Sequence, residues 1–387
     1  MTDVSQNSLA TQVLAAAVER HPTVCDAKGY YKPFRYPWAF EAYNRQANKM
    51  HWDPAEIPMA EDVRDWKYRL TDGERNLLTQ LFRFFTTGDV DIGQAYLDKY
   101  LPAFKNEEVR MMLTSFAAME SIHAHAYSLL LDTVGMPEVE YRAFRQFEVM
   151  AAKHDYLANF EISDEAGVAR ALAVFSGFTE GLQLFSTFAM LLNFARGDLP
   201  RGARMKGMNQ IATYSIRDES LHVEYMCRLF RTYIDERPHL WTPELRAEIV
   251  QICREMVELE DNFIDLAFAQ GDIEGLTAAE VKQYVRFIAD RRLQQLMLEP
   301  IYQVQNPLGW LDYMLNGVEH ANFFEQRATE YTPRSLRGSW DDVWAAPTRD
   351  EVVGPAAHQR DEFMGPALSP RPHVALPDPV TEAAARA

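Results

Sequence analysis

Two stretches decide the fold of this 387-residue chain: MESIHAHAY at residues 119–127 and IRDESLH at residues 216–222. Each contains the pattern Glu-x-x-His, and side chains three residues apart on a helix lie on the same face. Both stretches fall in the middle of long segments of helical periodicity, about 106–133 and about 204–235. One such pair alone is more often a satisfied core pair, but two pairs on two helices favour a metal site.

A dinuclear metal site in a helical bundle needs two further helices, each of which donates a carboxylate. Glu180 meets this need because it is the only charged residue in the apolar stretch VFSGFTEGLQLFSTF. On an earlier helix the candidates are Asp89 and Asp91, in TTGDVDIG. A third Glu-x-x-His match, Glu236 to His239, contains a proline where a helix should end, so we interpret it as a chance loop match.

The candidate ligands offer only carboxylate oxygen and imidazole nitrogen, which suits iron or manganese better than copper(I) or a structural zinc. Four carboxylates balance two divalent ions, whereas without metal they would have to bind protons or move apart. The string DVDIG also resembles the start of a calcium-binding loop. Its twelfth position is Tyr100 rather than Glu, so we exclude calcium.

Long helical segments with short connections predict an all-α antiparallel bundle. Thr71 with Glu74 and Thr277 with Glu280 form capping-box patterns, and Thr242 precedes a proline at a helix start. Six helical segments are predicted. The first starts at about 71, the second to fourth cover about 106–133, 164–196 and 204–235, and the fifth and sixth start at about 242 and 277.

Composition limits the class of protein. The formal net charge of −17 argues against binding to nucleic acid and to anionic membrane surfaces. The three cysteines have no CxxC spacing, which disfavours a disulfide framework and fits a reducing compartment. The N-terminus lacks the pattern of a signal peptide, and no stretch is apolar enough to span a bilayer. We therefore expect a cytoplasmic protein with neither nucleic acid nor membrane as its partner.

The domain organisation changes after residue 331. Eight of the 20 prolines fall within residues 332–387, where helical periodicity is weak. We predict one helical domain over 1–331, with its long-helix core over about 71–331, followed by a Pro-rich, mostly flexible C-terminal tail.

Tyr127 follows His123 by four residues and Glu120 by seven, so it lies on the same helix face. A tyrosine is usually a core residue. Beside a redox-active pair of metal ions, however, its phenol is a natural one-electron donor.

The sequence resembles the radical-generating small (beta) subunit of class I ribonucleotide reductase over nearly all of residues 35–331. The resemblance rests on MESIHAHAY, FSGFTEG, IRDESLH, NPLGW at 306–310 and NFFEQRATEY at 322–331. It implies a ferritin-like fold, a homodimer, two iron ions per chain with manganese as the alternative, and a radical on Tyr127. The family's spacing favours Asp89 over Asp91. The implied metal ligands are Asp89, Glu120, His123, Glu180, Glu219 and His222.

The resemblance also implies a relay to a separate large (alpha) subunit. Trp52 in KMHWDPAEI matches the family's near-surface tryptophan, Asp218 matches the carboxylate behind a ligating histidine, and Tyr331 matches the relay tyrosine. Since 56 residues follow Tyr331, more than is usual in the family, the segment that docks on the large subunit lies near 338–344 or at the extreme terminus.

The resemblance implies that the chain supplies a radical for the reduction of ribonucleotides to deoxyribonucleotides, as part of ribonucleoside-diphosphate reductase. An electron donor or an activase is a further expected partner. The alternative is a dimetal-carboxylate oxidase or monooxygenase of the same fold that acts on an apolar organic substrate. Such an enzyme would need an apolar substrate cavity but not Tyr127, Trp52 and Tyr331 together.

Overall fold

Hydrogen bonds between residues three apart determine where the long helices begin. Thr71 Oγ1 accepts a bond from the backbone N–H of Glu74 at 3.2 Å, while the Glu74 carboxylate accepts one from the backbone N–H of Thr71 at 2.8 Å. Thr277 and Glu280 form the same reciprocal pair, and the Thr242 side chain caps a further helix. The three predicted helix starts are thus confirmed.

The computed structural model describes residues 22–315, and Tyr331 and the predicted tail 332–387 lie outside them. The described residues belong to the first of two units into which the chain divides, Met1–Glu325. This part of the chain is helical, with turns, one isolated bridge between Ile273 and Leu276, and no strand. None of its helices is both long and apolar enough to cross a lipid bilayer.

The α-helices of the described residues are numbered in chain order. They are α1 (Pro37–Lys49), α2 (Ala60–Tyr68), α3 (Asp72–Ala95), α4 (Leu101–Ala103), α5 (Glu107–Val134), α6 (Glu148–Ala158), α7 (Glu165–Ala171), α8 (Leu184–Leu192), α9 (Lys206–Asp235), α10 (Pro243–Ala267) and α11 (Ala278–Gln295), and a further helical stretch begins at residue 309.

Tighter and wider helical turns link several of these helices. Two segments are π-helical, with hydrogen bonds five residues apart, and the others are short 3₁₀ turns. The π segments are Tyr96–Tyr100 and Leu172–Gln183, and the 3₁₀ turns are Pro54–Glu56, Glu138–Gln146, Asn193–Ala195 and Pro238–Leu240.

The third predicted helix differs from the expectation of one continuous helix over about 164–196. It consists of α7, the π segment Leu172–Gln183 and α8, and it ends at Leu192. Within it, the backbone N–H of Leu184 bonds to the carbonyl of Thr179, five residues earlier. Every residue of this π segment is buried, and helical periodicity alone does not distinguish its wider turns from those of an α-helix.

The core is a bundle of four helical rods. α3 packs on α5, and the π segment Leu172–Gln183 packs on α9. Contacts of α5 with α9 and of α3 with the π segment close the bundle. The predicted apolar stripe of α3 faces this interior, and Leu77, Leu81 and Phe82 are completely buried. The predicted all-α bundle is confirmed for the described residues, and its four rods carry all six proposed metal ligands.

Candidate metal centre

α5 brings Glu120, His123 and Tyr127 to the interior of the bundle. Asn106 caps its N-terminus by accepting backbone hydrogen bonds at Glu108 and Val109, and Gly135 ends the helix in the left-handed conformation. The three functional side chains follow one another on one face, and each is only 1% exposed. The uninterrupted helix thus presents a carboxylate, an imidazole and a phenol to one place.

α9 brings Asp218, Glu219 and His222 to the same place, and all three are completely buried. The helix starts under strain, since Met205 has a φ of 55°, in the left-handed region. The carboxylate of Asp62 in α2 compensates by accepting hydrogen bonds from the backbone N–H groups of Gly207 and Met208, each at 2.8 Å. A negative charge at a helix N-terminus is also favourable for the helix dipole.

The remaining carboxylates come from the other two rods. Asp89 in α3 is 2% exposed, and Glu180 in the π segment is completely buried. Asp91, the alternative left open by spacing alone, points elsewhere: its Oδ2 lies 2.8 Å from Nδ1 of His154.

Six side chains from four rods therefore converge in two overlapping groups. In each group the potential ligand atoms all lie within 4.8 Å of one another. Glu120 belongs to both groups, as a carboxylate with two oxygens can. The first group is Asp89, Glu120 and His123, and the second is Glu120, Glu180, Glu219 and His222.

Several potential metal-ligand atoms lie close together without forming hydrogen bonds. Nδ1 of His222 lies 3.1 Å from Oε1 of Glu120 and 3.4 Å from Oε2 of Glu219, yet these atoms find no hydrogen-bond partner among residues 22–315. Both carboxylate oxygens of Glu180 are likewise unpaired there. Buried polar atoms are rarely left in this state, so the arrangement fits a pair of cations.

The charges of the centre support the same conclusion. Burial, together with the charges of Glu120 and Glu219, raises the pKa of the Asp89 and Glu180 carboxyls well above the ordinary values. Although burial disfavours charged imidazoles, the surrounding carboxylates raise the pKa of His222 to about 10 and also raise that of His123. Without metal, the centre is neutralised by protons, which bound cations would displace.

The pKa of Glu120 is lowered, in contrast to those of Asp89 and Glu180. Burial opposes its charge, but the imidazoles of His123 and His222 outweigh this effect and lower its pKa to about 2. Both groups thus share a carboxylate that is ionised as long as the two imidazoles are charged.

Asp218 connects the centre to the edge of the bundle. Its Oδ2 accepts a hydrogen bond from Nε1 of Trp52 at 2.8 Å and lies 3.3 Å from Nε2 of His123. This leaves Nδ1 of His123 facing the carboxylates, 3.2 Å from Oε1 of Glu219. The Arg217 guanidinium donates to Oδ1 of Asp218 at 3.0 Å. A carboxylate that accepts the second N–H of an imidazole orients the ring for metal binding.

Tyr127 lies in an apolar wall beside the cluster. Its ring is stacked on Phe85, with ring centroids 4.1 Å apart, and Phe85 in turn contacts Phe188. Burial, and then the charge of Asp89, raise the pKa of the phenol, so Tyr127 keeps its proton. Oxidation of this side chain must therefore release a proton as well as an electron.

Sequence reasoning did not identify several residues around the centre. Tyr96 is fully buried, its ring lies edge-on to His222 at 6.1 Å between centroids, and it lowers the pKa of Glu180. Phe116 lies closer to the same imidazole, at 4.2 Å. Tyr214 contacts Trp52 at 5.3 Å. Apolar periodicity marks such residues as core but does not indicate what they touch.

Of the other residues predicted from the sequence, Trp52 donates its indole N–H to Asp218, and Tyr331 lies outside the described residues. Glu236 is not part of the cluster, since it accepts a hydrogen bond from the backbone N–H of Val24 at 3.0 Å. His239 is mostly exposed and contacts Glu165.

A family model for the small chain of ribonucleotide reductase matches residues 29–307. The chain belongs to this family. As a small subunit of ribonucleoside-diphosphate reductase, it works with a large subunit in the reduction of ribonucleotides to deoxyribonucleotides. The family uses a dinuclear metal site, and the buried cluster of carboxylates and imidazoles lies where four rods of the ferritin-like bundle meet.

Individual relatives agree with this assignment. A probable ribonucleoside-diphosphate reductase small subunit of Invertebrate iridescent virus 6 is 42% identical over 363 residues, which cover 83% of this chain and 98% of the relative. The ribonucleotide reductase R2 subunit from Clostridium botulinum is 25% identical and matches with a TM-score of 0.70 over 76% of this chain and 94% of its own. The fold is also shared with the dimanganese(II) NrdF of Streptococcus sanguinis, at 19% identity and a TM-score of 0.60 over 71% and 95% of the two chains.

Proposed function

We propose that this small subunit binds two metal ions between its four rods and stores a one-electron oxidising equivalent on Tyr127. One observation carries the proposal: six buried side chains with potential metal-ligand atoms converge from four rods. The buried phenol of Tyr127 lies beside them, on the face of α5 that also carries Glu120 and His123. The proposed ligands are Asp89, Glu120, His123, Glu180, Glu219 and His222.

Iron is the proposed metal, with two ions per chain and manganese as the alternative. Oxygen and nitrogen donors accept both metals, and the Streptococcus sanguinis relative is described with manganese. The oxidant is dioxygen alone or superoxide delivered by an activase, and a separate electron donor would restore the reduced metals. The purified chain is loaded with iron or with manganese under oxygen, without another protein, and the radical yield is measured. A radical formed under these conditions shows that this metal needs dioxygen alone, and its absence shows that superoxide from an activase is required.

When bound, the metal pair supplies the one-electron oxidant for the phenol. Asp89 is the carboxylate whose charge acts most strongly on Tyr127, and we assign to it the role of receiving the phenol proton. Phe85, which itself contacts Phe188, covers the ring with apolar surface and keeps water and reductants away from the stored radical.

Transfer to the large subunit would use the hydrogen-bonded chain from His123 through Asp218 to Trp52. In this path Asp218 can take the indole proton when Trp52 is oxidised and return it afterwards, because the two groups are 2.8 Å apart. Tyr331, outside the described residues, is the proposed later station on the way to the large subunit.

The alternative function, oxidation of an apolar organic substrate, has less support. The cavity that borders Gly88 and Thr179, the neighbours of two proposed ligands, measures about 10 Å³. A space of this size holds about one water molecule and no organic substrate.

Replacing Tyr127 with Phe tests the proposal. The variant should keep its metal content but lose the organic-radical signal in electron paramagnetic resonance after oxygen exposure, and the complex with the large subunit should no longer reduce nucleotides. The matched control is Tyr68→Phe, because Tyr68 is 80% exposed on α2. Full nucleotide reduction by the Tyr127→Phe complex would contradict the radical assignment.

We also propose that the chain is a cytoplasmic homodimer. Val90 and Leu97 are seven residues apart, so they share one face of a continuous helical stretch, and both are more than half exposed. Burial of these side chains against a second copy would remove apolar surface from water. Sedimentation analysis of the chain and of Val90→Glu should show a dimer for the first and a weakened one for the second.

A further inference from the structure

The rod that carries Glu180 is packed closely against α11, a helix that contributes none of the proposed metal ligands. Two glycines of the π segment Leu172–Gln183 allow this close approach. A Cβ atom on Gly181 would lie 2.7 Å from Nε of Arg292. A Cβ atom on Gly177 would lie 3.2 Å from Cδ1 of Leu296. One turn of α11 therefore lies directly on the backbone beside Glu180.

Arg292 holds the backbone one residue beyond Glu180. Its Nε donates a hydrogen bond to the carbonyl oxygen of Gly181 at 2.7 Å, and its Nη1 donates to Oε1 of Gln295 at 2.8 Å. Its guanidinium carbon lies 4.7 Å from the centroid of the Phe185 ring. The guanidinium is thus fixed by two hydrogen bonds and an aromatic ring, and through it α11 fixes the Gly181 carbonyl.

Packing alone does not explain an arginine at this position. Arg292 is only 7% exposed, and although burial lowers its pKa to about 10, it is charged at neutral pH. Among residues 22–315 its hydrogen bonds go to a carbonyl and an amide, and it forms no ion pair. A buried charge without an opposite partner lowers stability, and an apolar side chain of similar size would avoid this penalty. The hydrogen bond to Gly181 supplies a reason for the arginine.

The carboxylate of Glu180 depends on the backbone for its position. Within the part of the chain that the structure describes, neither of its oxygens has a hydrogen-bond partner. Glu180 belongs only to the second ligand group, with Glu120, Glu219 and His222. The first group contains no residue of the π segment. A shift of the backbone at Gly181 would therefore disturb the second group and leave the first in place.

We propose that Arg292 is a positioning residue for Glu180 and that it determines how tightly the second ligand group holds a metal ion. The inference rests on the proposed function, because it requires that the six side chains bind a pair of ions. Without the hydrogen bond to Gly181, the backbone beside Glu180 loses its fixed position. Its carboxylate is then held less well beside His222, and the affinity for the second ion falls.

Manganese binding to the full-length, metal-free protein tests the proposal. Manganese(II) is added stepwise without oxygen, and electron paramagnetic resonance distinguishes a single ion from a magnetically coupled pair. Arg292→Met keeps an apolar side chain of similar length but removes the charge and the hydrogen-bond donors. We expect it to bind the second ion about tenfold or more weakly than the parent protein does. The first ion should bind with the affinity of the parent protein.

Two control variants lie on the same helix. Arg291→Met makes the same chemical change at the neighbouring, exposed residue and should bind both ions like the parent protein. Leu293→Ala truncates a completely buried side chain, so it should lower the melting temperature without a selective loss of the second ion. A selective loss in Leu293→Ala as large as that in Arg292→Met would mean that the stability of α11 controls the second ion, and the proposal would be wrong.

Gly181→Ala perturbs the same contact from the other side. Its methyl group would displace the guanidinium of Arg292, so the variant should also bind the second ion more weakly than the parent protein. Because both changes break one contact, the double variant should stay within about threefold of Arg292→Met alone. Additive losses would show that the two residues act independently, which contradicts the proposal.

The manganese titration also separates this proposal from the proposed function. If the parent protein binds a coupled pair and Arg292→Met binds it with the same affinity, the role of Arg292 is refuted and the metal centre stands. If the parent protein itself binds no coupled pair, the proposed metal centre is refuted together with the role of Arg292.

Discussion

The ring of Phe85 lies flat against that of Tyr127, with centroids 4.1 Å apart and planes inclined by 12°. The two residues belong to different rods of the bundle, α3 and α5, so this contact joins a core position to the proposed radical site. Both side chains are 1% exposed. The packing of α3 therefore determines how well the phenol is shielded from solvent.

Replacement of Phe85 with Ala should both destabilise the protein and shorten the life of the radical. Truncation of a buried Phe costs about 3–5 kcal/mol of unfolding free energy, and the void lies directly against the phenol. The free energy is measured by denaturant unfolding and the lifetime by the decay of the radical signal. Phe230→Ala is the matched control, since Phe230 is completely buried on α9 beyond His222. An equally short radical lifetime in that control would mean that global stability, and not the stacking, protects the phenol.

Asp218→Asn should weaken metal binding and interrupt transfer, although it keeps the shape of the side chain. Although burial opposes the charge of Asp218, hydrogen bonding to His123 and the charge of Arg217 lower its pKa, so the native residue is a carboxylate. Loss of such a partner of a ligating histidine typically costs about 10–100-fold in metal affinity or activity. Metal titration and nucleotide reduction with the large subunit measure the two effects. Parent-like values in both would show that Asp218 serves only to fill space.

The pair Asp89 and Asp91 offers a sharp comparison of two carboxylates two residues apart. Asp89→Asn removes a proposed ligand of the cluster, so the purified variant should lose stoichiometric metal binding. Asp91→Asn changes only the contact with His154, so it should bind metal like the parent protein. Elemental analysis after loading and desalting decides between them. The reverse result would place the ligand at residue 91.

The metal-free protein should become less stable as pH rises, whereas the loaded protein should not. For His222 the pKa rises from 6.5 to about 10 in the folded protein, so its contribution to stability is complete below 6.5 and is lost as pH approaches 10. The raised pKa values of Asp89 and Glu180 act in the same direction. In the loaded protein these groups are ligands without protons.

Calorimetric melting temperatures of the manganese-loaded and chelator-treated proteins between pH 6.5 and 9 check this prediction. The difference between the two temperatures should widen with pH. His222→Gln provides the control, because its metal-free form should lose less stability over this interval. Parallel curves for the loaded and metal-free proteins would refute the proton-for-metal exchange.

Features that depend on neighbours along the chain were predictable from the sequence. The capping boxes at Thr71 and Thr277 involve residues three apart, and the helix starts follow from them. The placement of Glu120, His123 and Tyr127 on one face follows from the geometry of a helix alone. Local chemistry is sufficient in these cases.

Features that depend on contacts between distant segments were not predictable in this way. Trp52 and Tyr214 are far apart in the chain, and no periodicity indicates that their rings touch. The same holds for the position of Glu120 between the two ligand groups, which requires all four rods to be in place. The choice between Asp89 and Asp91 came from family resemblance, because both acids lie in the same helical stretch.

The π-helical hydrogen bonding of Leu172–Gln183 makes chain length a sensitive property of that rod. Each residue of an α-helix advances the chain by about 100° around the axis. A one-residue deletion before Glu180 would rotate its carboxylate by a similar angle around the rod unless the turns changed to absorb it. Engineering of this segment should therefore preserve its residue count as well as Glu180.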